Sequence, residues 1–429
     1  MHFLHPLWSY NTNIYEVNVR QYTQEGTFKA FQKHFPRLKD MGVEILWFMP
    51  VTPISLKGRK GSLGSYYAVQ NYTQINPEFG TLEDFIMLVN ETHELGFKVI
   101  IDWVANHTGN DNVWIDDHPE FYSYDEMDQI IHPNGWEDVS KLNYDNLLMH
   151  IAMINAMKFW IETCDIDGFR CDMAHLVPLE FWKDATTELD SIKTDLFWLA
   201  ECEEANYHEV FDATYTWKWM HAAESFCKNE IDMYKLFEVL QQYNDSFSLD
   251  AFRVYFTSNH DENSWNGTEF EKYNGAVKAL AVFNCTWNGI PMIYSGQELP
   301  NNKRLKFFDK DEIAWKDNYE LHDFYKVLFH LRKTNTALHA ADSNVITYKI
   351  ETGNDNTIFA FVRKNNNDEV LVFLNLSSQK ISLLLSDKIV DGNFINVFEK
   401  GTLCFSQQQN IELQPWDYKV YEKEKPSTK

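Results

Sequence analysis

Short apolar runs alternate with amphipathic segments through the first three quarters of the chain. Residues 27–41 carry phenylalanines and a leucine at helical spacing, which predicts one amphipathic helix. The same order of strand and helix recurs and predicts eight strands, at residues 13–17, 43–48, 97–102, 166–172, 196–201, 210–214, 252–257 and 291–295. Strands that alternate with helices form parallel sheets, and eight such units are typical of a closed barrel. The sequence therefore predicts an α/β fold, a (β/α)8 TIM barrel.

Two regions depart from this alternation. Residues 103–147 are polar, aromatic and irregular, and far longer than an ordinary link between a strand and a helix. After about residue 337, short alternating strands are predicted between Asn, Asp and Gly turns, at 345–350, 357–363, 369–375, 394–398 and 411–421. The predicted organisation is a barrel from 1–102 and 148–336, a short inserted subdomain at 103–147, and a C-terminal antiparallel β-sandwich domain at 337–425.

Composition narrows the choice of partner. The 429 residues are 44% hydrophobic and 24% charged, which is typical of a globular protein. The formal charge of −25 argues against nucleic acid or an anionic membrane as partner, because both attract basic surfaces. No apolar run approaches the roughly 20 residues that span a bilayer. The oligomeric state is left open.

Cysteine spacing and the N-terminal residues indicate a compartment. The six cysteines form no CxxC pair, and most lie in apolar stretches, so they are predicted to be free buried thiols. The N-terminus lacks the basic region and apolar stretch of a signal peptide. These features predict a cytoplasmic setting, with a periplasmic or secreted one as the alternative if a signal peptide was removed.

Charged side chains stand where four predicted strands end. The third strand leads into Asp102-Trp103-Val104-Ala105-Asn106-His107, the fourth ends in Arg170 and Asp172, the fifth in Glu201, and the seventh leads into Asn259-His260-Asp261. In such a barrel, the C-terminal ends of the strands form the active site. Strand alternation puts Arg170 and Asp172 on one face, where they could form a structural ion pair or serve a ligand.

The residue types favour one kind of chemistry. Two carboxyl groups on adjacent strands, one ionised and one protonated, are the machinery of glycosidic bond cleavage. The sequence has no Gly-rich phosphate loop, no HExxH motif and no Ser-centred nucleophile elbow. Aromatic residues make up 15% of the chain, and their faces suit neutral, ring-shaped ligands.

Four stretches resemble the signature regions of the α-amylase superfamily of retaining glycoside hydrolases. They are residues 102–107, 168–172, 199–201 and 257–261. Supporting segments at 42–50, 67–81 and 289–294 are similar too, and the resemblance follows the family's order from about residue 10 to the C-terminal domain. One such motif is weak evidence, but four in order at strand ends are strong evidence.

The resemblance implies a role for each matched residue. Asp172 is expected to be the nucleophile, held ionised by Arg170, and Glu201 the general acid/base. Asp261 is expected to grip sugar hydroxyls and favour the oxocarbenium-like transition state. Retention implies that the carboxyl groups of Asp172 and Glu201 lie about 5–5.5 Å apart. The residues expected to bind substrate are Tyr67, His107, Arg170, His175, His260 and Arg304.

Departures from the family pattern concern a metal and the substrate linkage. Many relatives hold a structural calcium, and Asn106 matches one ligand, but Lys141 and Leu176 stand where an Asp and a His would be. Neither supplies the hard oxygen that calcium needs. The sequence therefore predicts no metal and no cofactor, with the Lys141 ammonium replacing the cation near Asn106. Met173 and His175 also differ from the residues common in α-1,4-acting relatives.

The predicted function is hydrolysis of α-1,4 bonds in starch-derived glucans or maltooligosaccharides, with retention. The alternative is a 4-α-glucanotransferase, which uses the same residues but transfers the glycosyl unit to a sugar rather than to water. The sequence does not separate the two. A glycan-binding subunit without activity is disfavoured because Asp172, Glu201 and Asp261 are all present.

Overall fold

The computed structural model describes residues 5–316, 318–385, 388–406 and 409–425. The strands of these residues are β1 Ile14–Val17, β2 Ile45–Phe48, β3 Lys98–Trp103, β4 His107–Gly109, β5 Val139–Lys141, β6 Gly168–Cys171, β7 Phe197–Ala200, β8 Ala213–Tyr215, β9 Phe252–Tyr255, β10 Ile290–Tyr294, β11 Ile346–Ile350, β12 Ile358–Asn365, β13 Asp368–Asn375, β14 Ile381–Leu385, β15 Asn393–Asn396, β16 Thr402–Cys404, β17 Gln409–Leu413 and β18 Tyr418–Lys423.

Eight of these strands close into a parallel barrel, in the order β1-β10-β9-β8-β7-β6-β3-β2. The predicted sixth strand starts too early, because Val210 and Phe211 donate their N–H groups to Tyr207 O in a turn that precedes β8. Strands such as β2 and β7 are buried along their whole length, as expected where helices cover the sheet. The predicted (β/α)8 barrel is confirmed.

The α-helices of the described residues lie mainly around this barrel. Their bounds are α1 Val19–Tyr22, α2 Phe28–Gln32, α3 Phe35–Met41, α4 Leu82–Glu94, α5 Val113–Asp117, α6 Leu147–Cys164, α7 Leu179–Asp190, α8 Trp217–Cys227, α9 Met233–Ser246, α10 Glu269–Tyr273, α11 Val277–Thr286 and α12 His322–Thr334. The single helix predicted at 27–41 is wrong, because it is divided into α2 and α3. Pro36 explains the break, since it lacks an N–H and its ring would clash with the carbonyl of Gln32.

The region after β3 forms a small subdomain over the barrel mouth. Its antiparallel pair β4 and β5 aligns His107 with Lys141 and Gly109 with Val139. Helix α5 and short 3-10 turns fill the rest of the described segment. The subdomain returns the chain to α6, whose first turn is capped by the Asn146 side chain.

The C-terminal strands form two sheets around a second apolar core. Six strands pair in the order β11-β12-β13-β18-β15-β16, and β14 pairs with β17. On β12, alternate residues serve two cores, because Ala360 packs between the sheets while Phe359 and Phe361 pack on the barrel. The strand predicted at 411–421 is divided into β17 and β18 around Pro415. The predicted antiparallel β fold is confirmed.

Two further expectations concern thiols and membranes. All six cysteines are free thiols, and all but Cys404 are buried. Among the described helices, none is both long enough and apolar enough to cross a bilayer.

Candidate active site

The Arg170 side chain forms the centre of the site. It is wholly buried, and its Nη1 donates to Asp102 Oδ1 at 2.9 Å and to Asp172 Oδ1 at 3.1 Å. Its Nη2 lies 2.8 Å from Glu201 Oε2, an ion-pair contact without hydrogen-bond alignment. The three carboxyl groups stand at the ends of β3, β6 and β7, which are neighbours in the barrel. One guanidinium therefore holds three carboxyl groups together.

The close approach of β6 to β7 depends on Gly168. Its φ is +152°, and a Cβ at this position would lie 1.9 Å from the carbonyl oxygen of Phe197. Only glycine lets the two backbones meet here. This contact sets the register that places Arg170 beside Leu199, two residues before Glu201.

Burial raises the pKa of all three carboxyl groups. The pKa of Asp172 and that of Glu201 are each raised to about 7, and that of Asp102 to about 6. In each case burial is the largest cause, and the Arg170 charge opposes it. The expectation that Arg170 holds Asp172 ionised is therefore only partly met, because one cation is shared by three acids. The cluster retains a proton near neutral pH.

A strained turn joins the two central acids. Met173, directly after Asp172, has a φ of +42°, which a side chain of its size rarely adopts. In this conformation its N–H donates to Glu201 Oε2 at 2.8 Å. The turn therefore orients Glu201 from the residue beside Asp172, and such local strain is typical of functional sites.

A second group surrounds His260. Its Nδ1 lies 2.5 Å from Glu16 Oε1, its Nε2 lies 3.2 Å from Asp261 Oδ2, and its Nε2 also contacts the Tyr67 hydroxyl at 2.7 Å. Although burial lowers the pKa of His260, the carboxylates of Asp261 and Glu16 raise it well above its usual value. His260 also holds the pKa of Asp261 below its usual value, despite burial that acts the other way.

These contacts are consistent with an imidazolium. With both ring nitrogens protonated, His260 donates from Nδ1 to Glu16 and from Nε2 to the oxygen of Tyr67, and Asp261 is a charged partner beside Nε2. The Tyr67 hydroxyl is then free to donate to Asp102 Oδ2 at 3.1 Å. Glu16 lies within β1 and is wholly buried. Sequence reasoning missed it, although an acid inside an apolar strand is the kind of signal that could have identified it.

A cavity of about 210 Å³ opens over the acids. Asp172, Glu201 and Asp261 line it together with Tyr67 and His107. Burial lowers the pKa of His107 to about 4, so this imidazole is neutral at ordinary pH. Further lining residues that sequence reasoning missed are Lys60, Trp136, Asp138, Phe307 and Phe308. A larger groove of about 1080 Å³ lies elsewhere, at Lys183 and His208, and contains none of the carboxyl groups of the site.

Four predicted substrate-binding residues do not line this cavity. Arg170 and His260 are buried and contact Asp172 and Asp261, which do line it. His175 is exposed on a short 3-10 helix. Arg304 is a surface residue whose Nε and Nη2 donate to the Glu271 carboxylate at 2.9 and 3.1 Å. The assignment of His175 and Arg304 to substrate binding is therefore not supported by the cavity geometry. Met173, by contrast, does line the cavity.

The residues at the expected calcium position do not fit a calcium ion. The Asn106 amide contacts His107 Nδ1 at 3.2 Å, and Lys141 is exposed on β5. Among the described residues, no group of three or more His, Cys, Asp or Glu side chains could hold a metal. Calcium takes six to eight oxygen ligands, and these side chains do not supply them.

Comparison with known families decides where the chain belongs. The model of the α-amylase catalytic domain matches residues 10–314, and that of the maltogenic amylase C-terminal domain matches residues 349–420. The chain belongs to the α-amylase family. The first match contains all eight strands of the barrel and every residue of the candidate site.

Named relatives of this α-amylase family member are distant. It is 26% identical to the α-amylase MalA of Haloarcula japonica, over 87% of this chain but only 56% of MalA, so it spans little more than half of that relative. It is 23% identical to the maltogenic α-amylase of Bacillus acidopullulyticus, over 92% of this chain and 70% of that protein. Among solved structures, the maltogenic α-amylase AmyB of Thermotoga neapolitana gives a TM-score of 0.88 at 28% identity, over 97% and 99% of the two chains.

Proposed function

We propose that this protein is a retaining glycoside hydrolase that cleaves α-1,4 bonds in maltooligosaccharides by double displacement. The observation that carries the proposal is the shared guanidinium of Arg170, which contacts Asp172 and Glu201 at the edge of one cavity. Two carboxyl groups with raised pKa values, one bound to a proton and one not, are what this reaction requires.

In the first step, Asp172 attacks the anomeric carbon while Glu201 donates its proton to the glycosidic oxygen. The bond from the anomeric carbon to that oxygen breaks, the shortened sugar leaves with the proton, and a covalent glycosyl ester forms on Asp172. In the second step, Glu201 takes a proton from water. The water oxygen then attacks the same carbon and releases Asp172, so the two inversions restore the original configuration.

The distribution of the proton fits these roles. Asp172 accepts an aligned hydrogen bond from Arg170 Nη1, which favours its ionised form, whereas the contact of Glu201 with Nη2 lacks this alignment. Glu201 is therefore the better site for the retained proton. Once the leaving group has taken it, Glu201 is the base for the second step.

The remaining side chains bind the sugar under attack. Tyr67 lines the cavity, and its ring stacks on His260 with ring centroids 5.4 Å apart. Asp261 has a 38% exposed side chain, so its carboxylate is available to sugar hydroxyls. Neutral His107 can donate to or accept from a hydroxyl.

The substrate class rests on support of two kinds. The cavity is lined by aromatic rings and charged groups, which suits a neutral polyhydroxy ligand. Relatives include a cyclomaltodextrinase of Geobacillus thermopakistaniensis and the maltogenic α-amylase of Bacillus acidopullulyticus. The chain is also 26% identical, over 83% of its length, to a maltosyltransferase of Picrophilus torridus. This similarity supports transfer to a sugar as the second candidate function.

The test is the product profile from maltoheptaose. Hydrolysis is expected to release reducing ends and only products shorter than the substrate, whereas transfer would give chains longer than maltoheptaose. Asp172→Asn, checked for folding by its thermal unfolding, is expected to abolish both. Full activity in Asp172→Asn, or no reaction by the wild type, would contradict the proposal.

A further inference from the structure

A loop that we call the strap, residues 58–64 with sequence Gly-Arg-Lys-Gly-Ser-Leu-Gly, lies between β2 and Tyr67 along the chain. Gly58, Gly61 and Gly64 have φ values of +75°, +61° and +78°. Glycine adopts these angles without strain, so the three positions give the strap its folded course. Lys60 of the strap lines the cavity itself.

One side of the strap is attached to the inserted subdomain. Lys60 Nζ lies 2.7 Å from Asp138 Oδ1, and the Asp138 side chain is only 7% exposed. Gly58 packs on the same segment, since a Cβ there would lie 3.1 Å from Asn110 Nδ2 and 3.7 Å from the Cα of Asp138. The Lys60 side chain is itself 41% exposed, so the ion pair is buried on the Asp138 side only.

The other side is attached to the loop that follows β10. Ser62 donates from its N–H and its hydroxyl to Asp309 Oδ1, at 2.8 and 2.6 Å, and Leu63 N–H donates to Phe308 O at 2.9 Å. At Gly61 a Cβ would lie 2.5 Å from the Cβ of Phe308, so the two segments are in close contact. The strap is therefore bound on two sides, and each attachment involves a residue that lines the cavity, Asp138 on one side and Phe308 on the other.

The barrel order shows which end of the substrate meets the strap. The strap itself follows β2, the subdomain that binds Lys60 follows β3 beside it, and the loop that binds Ser62 follows β10. In the barrel β2 and β10 are the two neighbours of β1, whereas Glu201 follows β7, four strands from β1 in either direction. Glu201 protonates the departing sugar, so the reducing-end part of the substrate leaves on the β7 side. The strap then lies beyond the glycosyl unit attached to Asp172, at the non-reducing end.

We propose that the strap closes the non-reducing end of the substrate site and makes the enzyme exo-acting. The inference rests on the proposed hydrolysis of maltooligosaccharides. The cavity volume of about 210 Å³ lies below the range of about 300–1,000 Å³ usual for ligand pockets, which fits a site that ends after a few rings. The enzyme therefore removes short units from free non-reducing ends and does not act in the middle of a chain.

The test compares maltoheptaose with a maltoheptaoside whose non-reducing end carries a 4,6-benzylidene group. The wild type is expected to release short products from maltoheptaose and to act on the blocked substrate about 100-fold more slowly or worse, since even one misplaced methylene costs about 10- to 200-fold in a fitted site. Lys60→Ala/Ser62→Ala weakens both attachments of the strap, because it removes the ion pair with Asp138 and the hydroxyl hydrogen bond to Asp309. That variant is expected to act on the blocked substrate at least about tenfold faster than the wild type, about 1.4 kcal/mol in the barrier.

Lys57→Ala is the matched control, because it removes an ammonium next to the strap but leaves Asp138 and Asp309 bound; it should match the wild type on both substrates. Equal wild-type rates on blocked and free maltoheptaose would overturn the inference while the proposed function stands. If the wild type and the double variant act equally slowly on the blocked substrate, the strap is not the barrier. No reaction on either substrate would overturn the proposed function and the inference together.

Discussion

Arg170→Met removes the cation that three buried carboxyl groups share. Arg170 Nη1 lies 2.9 Å from Asp102 and 3.1 Å from Asp172, and Nη2 lies 2.8 Å from Glu201, and the guanidinium is wholly buried. Breaking a buried ion pair by deleting one partner typically costs about 3–5 kcal/mol. We expect the free energy of unfolding to fall by that amount at pH 8, where ionisation of the remaining carboxyl groups is favoured in water but opposed by burial.

The expected loss depends on pH, and its sign follows from the raised pKa values. Burial places the pKa of Asp172 and Glu201 at about 7 and that of Asp102 at about 6, against about 4 in an unfolded chain. The folded protein therefore holds protons that the unfolded chain releases between pH about 4 and 7, and stability falls as the pH rises through this window. Without Arg170 these pKa values rise further, so stability continues to fall at pH values above 7. The substitution is therefore expected to cost more free energy of unfolding at pH 8 than at pH 5.

The assay is calorimetric unfolding of wild type and Arg170→Met at pH 5 and pH 8. Arg332→Met is the matched control, since Arg332 is also wholly buried but donates to the carbonyl oxygens of Thr12 and Tyr10. Burial lowers the pKa of Arg332 only to about 10, so its charge is constant between the two pH values. Equal destabilisation of Arg170→Met at pH 5 and pH 8 would refute the role of Arg170 as the shared counter-charge.

Three further predictions concern the acid, the second histidine group and the metal. Glu201→Gln is expected to lower kcat by about 10²- to 10⁴-fold and to remove the decline in activity that deprotonation of the wild-type acid causes above pH about 7; an unchanged pH profile of kcat would assign that decline to another group. Glu16→Gln removes a carboxylate 2.5 Å from His260 Nδ1 and is expected to lower kcat/KM about 10- to 100-fold. Because Glu16 raises the pKa of His260, its loss should also move the alkaline limb of kcat/KM to lower pH, and a uniform loss at every pH would argue for a merely structural role. EDTA is expected to leave the melting temperature and activity unchanged, whereas a large loss of either would show that a metal is required.

The barrel could be predicted because its signals are local. Apolar runs such as 97–102 and the polar residues that follow them depend on neighbours in the chain, and the carboxyl ends of parallel strands meet at one edge. These two facts are enough to bring Asp172, Glu201 and Asp261 together at that edge. The split between α2 and α3 is also local, and Pro36 is the residue that predicts it.

Contacts between distant loops could not be predicted in the same way. The pair of Lys60 and Asp138 joins segments on either side of β3, and its two residues have ordinary surface identities in the sequence. Glu16 belongs to the site because β1 completes the barrel beside β10, which no local pattern reports. Arg304 shows the converse error, since its position in the sequence suggested the cavity but its side chain pairs with Glu271 at the surface.

The assignment of Asp172 as nucleophile is tested most directly by trapping the glycosyl enzyme. Glu201→Gln should still be glycosylated by α-maltosyl fluoride, whose leaving group needs little acid assistance, but should hydrolyse the product slowly because the base for the second step is gone. Peptide mass spectrometry of the quenched protein should then find a maltosyl group on the peptide that contains Asp172 and assign it to that carboxylate. A maltosyl group on Asp261 or Asp102, or release of β-maltose without any covalent adduct, would contradict the mechanism.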